Sequence, residues 1–234
     1  MSSKERRQRE KEEIRTKIMD AARELFLEEG YEAVTMRKIA EKIDYTPTAI
    51  YFHYEDKEAL FRELCDTDFR ALQETLQNLA RHADPFERLR KMGHAYVSFA
   101  LDHPNHYRLM FMTAPPFKDV DKSTIERGNP EVDAYAFLRA TVAEAMQAGR
   151  LREELKDVDL VAQVVWSGVH GVLALYLTHG DHPWFDWRPV KKIAQTMLDT
   201  ILAGMVHGEL AEQGQTSQAS FAASNTGPSM QTRR

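Results

Sequence analysis

Apolar residues recur along this chain three and four positions apart, and almost nowhere in strict alternation. Ile14, Ile18, Ala21, Ala22, Leu25 and Phe26 fall on one stripe of a helix. Gly30 reads as its stop. Met36, Ile39, Ala40 and Ile43 form a shorter stripe that opens after Thr35, a residue type whose hydroxyl caps helix starts. Asp44-Tyr45-Thr46 then separate it from a third helix, predicted from Pro47 to about Tyr54, with proline at the first helical position. From Glu55-Asp56 a long fourth helix carries Ala59, Leu60, Leu64, Leu72, Leu76 and Leu79. Farther on, the pattern predicts helices at about 85–101, 104–112, 130–148, 158–179 and 188–206. No run of alternating β-branched residues interrupts it, so the fold class is all-α.

The organisation that follows has four parts. Residues 1–13 are a charged arm of mixed sign, expected to fray. Residues 14–55 form a first small domain and 56–208 a larger one. Residues 209–234, rich in Ser, Gln, Thr, Gly and Ala, are read as a disordered tail. The stretch 113–129 is a long loop.

Two short helices joined by three residues describe a helix-turn-helix. Their close crossing needs a small residue, which Ala40 supplies, and Ile39, Ile43 and Ile50 fasten the pair to the first helix. The outward positions fall to Thr46, Pro47, Thr48 and Ala49, small enough for the helix to enter a major groove. Tyr51, Tyr54, His53 and Lys57 offer hydroxyls and N–H donors for phosphate. Thr35 marks a helix start whose free N–H groups attract an anion. Arg37 has the reach for a guanine edge or a phosphate. His53, at so tight a turn, is also suited to a structural hydrogen bond, and Tyr51 to a ring packed inward with its hydroxyl outward.

The run Gly30-Tyr31-Glu32-Ala33-Val34-Thr35-Met36-Arg37-Lys38-Ile39-Ala40, then Thr46-Pro47-Thr48-Ala49-Ile50-Tyr51-Phe52-His53-Tyr54 and Lys57-Glu58-Ala59-Leu60, resembles the TetR family of one-component regulators. That resemblance spans residues 14–62. It implies an all-α homodimer whose subunits pair an N-terminal three-helix helix-turn-helix DNA-binding domain with a larger helical ligand-binding and dimerisation domain. It implies that Arg37, Pro47, Thr48 and Ala49 approach bases of double-stranded operator DNA, and that Thr35, Tyr51, His53 and Lys57 hold phosphates. Asp44 stands where the family usually has a turn glycine; aspartate tolerates a left-handed backbone better than most residues. Tyr45 is larger than the family's usual aliphatic residue, which leaves it to pack or to reach the DNA backbone.

In the second half, Trp166-Ser167-Gly168-Val169-His170-Gly171 is similar to the W-x-x-x-H-G signature of one C-terminal subfamily. His103-Pro104-Asn105-His106-Tyr107-Arg108-Leu109-Met110-Phe111 is similar to that subfamily's short helix after a proline. Trp166 and His170 share a helix face, and their polar atoms need partners, either a buried network or a ligand. The expected pocket lining is Tyr96, Phe99, Ala100, Tyr107, Met110, Phe111, Tyr135, Leu138, Trp166 and His170. Such a lining fits a small, mostly apolar effector. Two more stripes, Val161-Val165-Gly168-Val172-Leu175 and Ile193-Met197-Ile201-Met205, fit a four-helix dimer interface. Which side of each faces a partner stays open.

Charge and composition narrow the functions. Thirty-one Lys and Arg against 36 Asp and Glu give a net charge of −5, which excludes a uniformly basic nucleic-acid binder. Residues 1–54 carry eleven basic and eleven acidic side chains, so positive potential there must come from placement, with Lys4 to Lys17 contributing most. A single cysteine, Cys65, excludes an internal disulfide and a Cys-cluster metal site. His103 and His106, and His179 and His182, are spaced as metal ligands can be, but both pairs border a proline and neither has a local Cys or carboxylate to complete a set. No metal and no cofactor are expected. No phosphate-cradling glycine loop or serine elbow points to an enzyme. The N-terminal MSSKERRQREKEE lacks an apolar signal core, so a cytoplasmic protein is expected. Leu160 to Leu177 is uncharged and long enough to span a bilayer, yet it carries Gln163, Ser167 and His170, which favours a buried or dimer helix with no membrane. The expectation is a repressor released from its operator by an effector; activation of transcription, or DNA binding with no small-molecule effector, stays open.

Overall fold

The computed structural model describes residues 2–78, 84–114 and 123–206. The tail expected at 209–234, Leu79 and the middle of the 113–129 loop lie outside the described residues. Within them run α1 (Ser3–Glu29), α2 (Met36–Lys42), α3 (Pro47–Tyr51), α4 (Lys57–Gln77), α5 (Pro85–Asp102), α6 (Pro104–Phe111), α7 (Ala134–Gln147), α8 (Val158–His179) and α9 (Val190–Met205). No strand occurs among the described residues, only an isolated antiparallel bridge between Leu151 and Val206.

The helices start where side chains can satisfy their free N–H groups. Thr35, Thr46, Asp56, Asp84, Asp133 and Asp157 each accept at the first turn of the helix that follows. Asp133 explains why α7 begins at Ala134 rather than near 130: its carboxylate accepts from the Tyr135 and Ala136 N–H groups. The helix expected from Pro47 to Tyr54 is shorter, ending at Tyr51.

The charged arm is not frayed; it is the first three turns of α1. Ser2 Oγ accepts from Glu5 N at 3.2 Å while the Glu5 carboxylate accepts from Ser2 N at 2.8 Å, a reciprocal cap. Arg6–Glu10, Arg9–Glu13 and Gln8–Glu12 then pair four residues apart along the surface. The mixed charge that reads as disorder is ordered by its spacing.

Two cores form. The first gathers Ile18, Ala22 and Phe26 of α1, Val34, Ile39, Ala40 and Ile50, all essentially inaccessible. It also takes in Leu60, Phe61 and Leu64 of α4 and Leu109 of α6, so its packing runs past Asp56. The second, larger body packs α5, α7, α8 and α9 around Val97, Val169, Leu173, Ala194, Leu198 and Leu202. Gly93 lets α5 and α9 close up: a Cβ there would sit 2.4 Å from Leu198 Cδ1. A buried charge cluster bonds the bodies together. Arg23 of α1 grips Asp68 of α4 through Nη2 at 2.8 Å and Nε at 3.3 Å, and His106 Nδ1 of α6 lies 2.9 Å from the same carboxylate. A carboxylate therefore does stand beside one histidine pair, and an arginine occupies it.

α8 is long and apolar enough to cross a membrane by length and composition. Here Val161, Ala162, Val165, Val169 and Leu173 are buried. Val161 and Val165, on a stripe whose partner-facing side the sequence left open, thus face the subunit's own core. The outward line of α8 is offset by about one residue: Leu160, Val164, Ser167 and Leu175 are exposed, with Gly171 between them and nothing within 4 Å of where its Cβ would be. Gly168 instead lies under Met197 and Ile201 of α9.

Candidate functional site

The helix-turn-helix is held by its backbone. Asp44 adopts φ 57°, the left-handed conformation the turn requires, and Tyr45 N donates to Ala40 O at 2.9 Å. Ile39, Ala40 and Ile50 are buried, which turns the other sides of α2 and α3 to solvent. Thr35, Arg37, Thr46, Pro47, Thr48 and Tyr51 are all exposed there, and Ala49 is half-buried. Thr35 Oγ1 accepts from Lys38 N at 3.2 Å and Thr46 Oγ1 from Ala49 N at 3.3 Å. Each hydroxyl keeps its proton for an outside acceptor. Arg37 Nε pairs with Glu41 at 2.8 Å, leaving the rest of its fork open. Phe52, which sequence reasoning did not single out, is 78% exposed at the end of α3.

Four expected contacts are partly or wholly turned to structural duty. Lys57 Nζ donates to Tyr31 O at 2.6 Å and Val34 O at 2.9 Å and lies 4.1 Å from the Tyr31 ring centroid. It fastens the loop between α1 and α2, with one N–H donor left. His53 is half-buried; burial first, then Arg15 and Lys11, hold its imidazole below the usual histidine value. Its carbonyl accepts from Arg15 Nη1 at 3.3 Å. Tyr54 is buried under Arg15, and burial pushes its phenol upward. Tyr45 packs against the first core.

Between the bodies opens a cavity of about 840 Å³. Its walls are mostly apolar: Phe61, Phe69, Leu72 and Leu76 from α4, Leu89, Met92 and Tyr96 from α5, Met110 and Phe111 from α6, Tyr135 and Leu138 from α7, Trp166, Val169 and His170 from α8. Seven of the expected lining residues are therefore brought together: Tyr96, Met110, Phe111, Tyr135, Leu138, Trp166 and His170. Phe99, Ala100 and Tyr107 are not among them; all three are buried in the second core. The cavity-facing stripe of α5 runs Leu89, Met92, Tyr96, and its continuation meets α6 rather than open space. Sequence reasoning missed the α4 wall, although Phe61, Cys65, Phe69, Leu72 and Leu76 recur at helical spacing. It also missed the wall formed by Ser123, Ile125, Arg127 and Val132, which no periodicity marks. Cys65 is no reactive thiolate, since burial pushes its thiol up to about 12. Arg108 donates to Leu177 O at 2.9 Å and Arg139 pairs with Asp159, so neither anchors a ligand.

One wall carries a chain of hydrogen bonds. Trp166 Nε1, a donor only, gives to Tyr96 Oη at 3.1 Å. Tyr96 gives its proton to Tyr107 Oη at 3.2 Å. Tyr107 has its own proton left for His170 Nδ1, 2.6 Å away. With Nδ1 as the acceptor of that proton, the proton of the neutral imidazole sits on Nε2. Burial lowers the His170 imidazole and pushes the Tyr96 phenol up to about 12, so every member stays uncharged at neutral pH. Tyr107, expected on the wall, acts one step behind it.

The remaining wall is sewn to α4. Asp66 accepts from Ser123 Oγ at 2.8 Å and from Thr124 N and Oγ1 at 2.7 Å. Gln73 and Gln77 both donate to Pro130 O, at 2.8 and 2.6 Å. The helix that carries Lys57 at one end thus holds the cavity wall along its length. Among the described residues, no group of three or more His, Cys, Asp or Glu could hold a metal ion.

Comparison with known proteins places this geometry. Residues 18–64 match the family described as bacterial regulatory proteins, tetR family, and residues 89–201 match the tetracyclin repressor-like C-terminal domain. The chain is 34% identical over 171 residues to the transcriptional regulator UidR of Escherichia coli, covering 71% of this chain and 83% of that one. It is 27% identical over 186 residues to the transcriptional regulator TtgR of Pseudomonas putida, covering 74% and 84%. Among solved structures, the fatty acid degradation regulator FadR from Bacillus halodurans shares the fold with a TM-score of 0.63 at 17% identity, over 82% of this chain and 96% of that one. The ketosteroid transcriptional regulator KstR2 of Mycobacterium tuberculosis does so with a TM-score of 0.60 at 20% identity, over 82% and 95%. This chain belongs to the TetR family of helix-turn-helix transcriptional regulators.

Proposed function

We propose that the chain is a repressor that binds a palindromic operator as a homodimer and lets go when a small, mostly apolar molecule fills the cavity. The observation that carries this reading is a ligand-sized space whose walls belong to the helix that also braces the DNA-binding domain. A volume of about 840 Å³ lies within the range of small-molecule sites. The mostly apolar lining favours an effector with a hydrocarbon or aromatic body. The Nε2 proton of His170 asks that body for one uncharged acceptor, such as a carbonyl or ether oxygen. A ketosteroid regulator of the same fold fits that picture by name.

The dimer surface proposed is the outward line of α8, Leu160, Val164, Ser167, Gly171 and Leu175. Small residues at its middle admit close approach of a second helix. In a dimer the two α3 helices would address half-sites about one helical turn apart. An effector that prefers a differently spaced pair would release DNA by population shift, for which a few kcal/mol suffice. Such a protein works in the cytoplasm, with no cofactor.

The test is fluorescence anisotropy of the full chain on the DNA upstream of its own gene. Wild type is expected to bind tightly and with strong salt dependence; Arg37→Ala with Tyr51→Ala is expected to lose binding while keeping its helical circular dichroism. Apolar carbonyl compounds that alter tryptophan fluorescence should then release the DNA. A folded protein that selects no sequence from genomic fragments would overturn the reading.

A further inference from the structure

α1 changes character along one face. Where the domain core lies beside it, that face is apolar: Ala22 and Ile18 are 0% exposed. Counting back from Ile18 by three and four residues along the same face, the next side chains are Arg15, Lys11, Arg7 and Lys4. Arg15 is the junction. It still belongs to the domain, bonded to the His53 carbonyl at the end of α3, paired with Glu63 and set over the Tyr54 ring. Above it, every residue from Ser3 to Glu13 is exposed, and the helix overhangs the body by about three turns, roughly 16 Å.

The charges of this overhang are sorted by face. Its acids are engaged within the helix: Glu5 in the cap, Glu10 with Arg6, Glu13 with Arg9, and Glu12 with Gln8. Lys4, Arg7 and Lys11 have no ion-pair partner among the described residues. The stripe that buries apolar surface lower down therefore ends as a row of unpaired cations on the side of α1 where α3 ends. A bare basic row in that position offers a surface to a polyanion where the domain below has a core.

We infer that the α1 overhang is a second DNA contact, a stiff basic rod whose Lys4, Arg7 and Lys11 lie along the phosphates flanking the bases that α3 reads. The inference rests on the DNA-binding reading above. It assigns the overhang a positioning role with no base readout, because cations on phosphate carry no sequence information. It also reconciles a domain with balanced charge with binding to a polyanion, since placement supplies what the sum does not.

The experiment compares two triple variants of equal charge loss in the full chain. One is Lys4→Ala/Arg7→Ala/Lys11→Ala, on the stripe; the other is Arg6→Ala/Arg9→Ala/Lys17→Ala, on the remaining faces. Both keep a helix-favouring residue, and circular dichroism checks that the helix persists. The salt dependence of binding is read for the operator and for random DNA. The stripe variant is expected to flatten the slope of log K against log salt by about 2.7 per bound subunit. It should weaken operator and random DNA alike, at least tenfold, leaving their ratio unchanged. The control variant should move the slope by less than half as much. Equal slopes for the two variants would overturn the inference in favour of bulk charge. A stripe variant that binds like wild type would overturn it while the helix-turn-helix reading stands. A wild type that binds no DNA would overturn both.

Discussion

The two bodies of this protein use apolar side chains to opposite ends. Around Ile39, Ala40 and Ile50 the side chains meet, and Thr35, Arg37, Thr46, Thr48 and Tyr51 are left outward. Between α4 and α8 the aromatic and methionine side chains surround a space and do not fill it. The small body is thus a rigid presenter of α3, and the large one is a vessel. Phe26 and Phe111 show the contrast. Phe26 packs edge-on to Phe61 at 5.1 Å and is 1% exposed. Phe111 has Phe69, Tyr96, Tyr107, Trp166 and His170 around it at 5.0 to 6.0 Å between ring centroids, yet it also borders open volume.

That contrast has a measurable size. Phe26→Ala should cost about 4 kcal/mol of unfolding free energy, the usual cost of a large core truncation. Phe111→Ala, already without packing on one side, should cost less than about 2 kcal/mol. Urea unfolding of both variants checks it, and equal costs would mean that the vessel is as tightly packed as the presenter. Tyr107→Phe removes the donor that fixes the His170 proton on Nε2. It should cost about 1–2 kcal/mol for the acceptor left without its partner. An effector accepting from Nε2 should bind about tenfold more weakly, measured by tryptophan fluorescence titration.

In the small body the turn is the strained point. Asp44→Gly should raise stability by about 0.5–1 kcal/mol by relieving the left-handed residue, whereas Asp44→Val should lower it. Thermal melts of the two variants must move in opposite directions.

The smallest effect is a pH slope. Unfolded histidine takes up its proton near pH 6.5, about the model-peptide value. His53 and His170 are both held below that by burial. In that interval the unfolded chain binds more protons, so stability rises with pH, is complete above about 6.5, and declines as the pH falls. His170→Asn should flatten part of that decline in chemical denaturation at successive pH values.

What was legible in the sequence follows from the same contrast. A filled core prints its pattern directly, which is why Ile18, Ala22, Ile39, Ala40 and Ile50 and the helix bounds around them could be read from spacing. The cap residue Thr35 was legible because capping is local. A hollow is a relation among helices, and spacing cannot say which apolar stripe meets another and which faces a void. Phe99, Ala100 and Tyr107 were misplaced for that reason, and the inward side of the α8 stripe stayed open. The α4 wall was missed because the spacing of Leu72 and Leu76 marks a buried face without saying what lies beside it. Lys57 and His53 look like phosphate ligands in one dimension, but folding gives them neighbours first. The arm was expected to fray because no apolar stripe marks it as a helix.

The claim that joins the two bodies is coupling between cavity and DNA, and linkage makes it testable in either direction. The direct measurement is the affinity of one cavity ligand for the full chain with and without saturating operator. The account predicts that operator weakens the ligand by the same factor by which the ligand weakens operator, at least about fivefold. Identical ligand affinity in the two conditions would contradict it, leaving a DNA binder and a cavity with no thermodynamic connection.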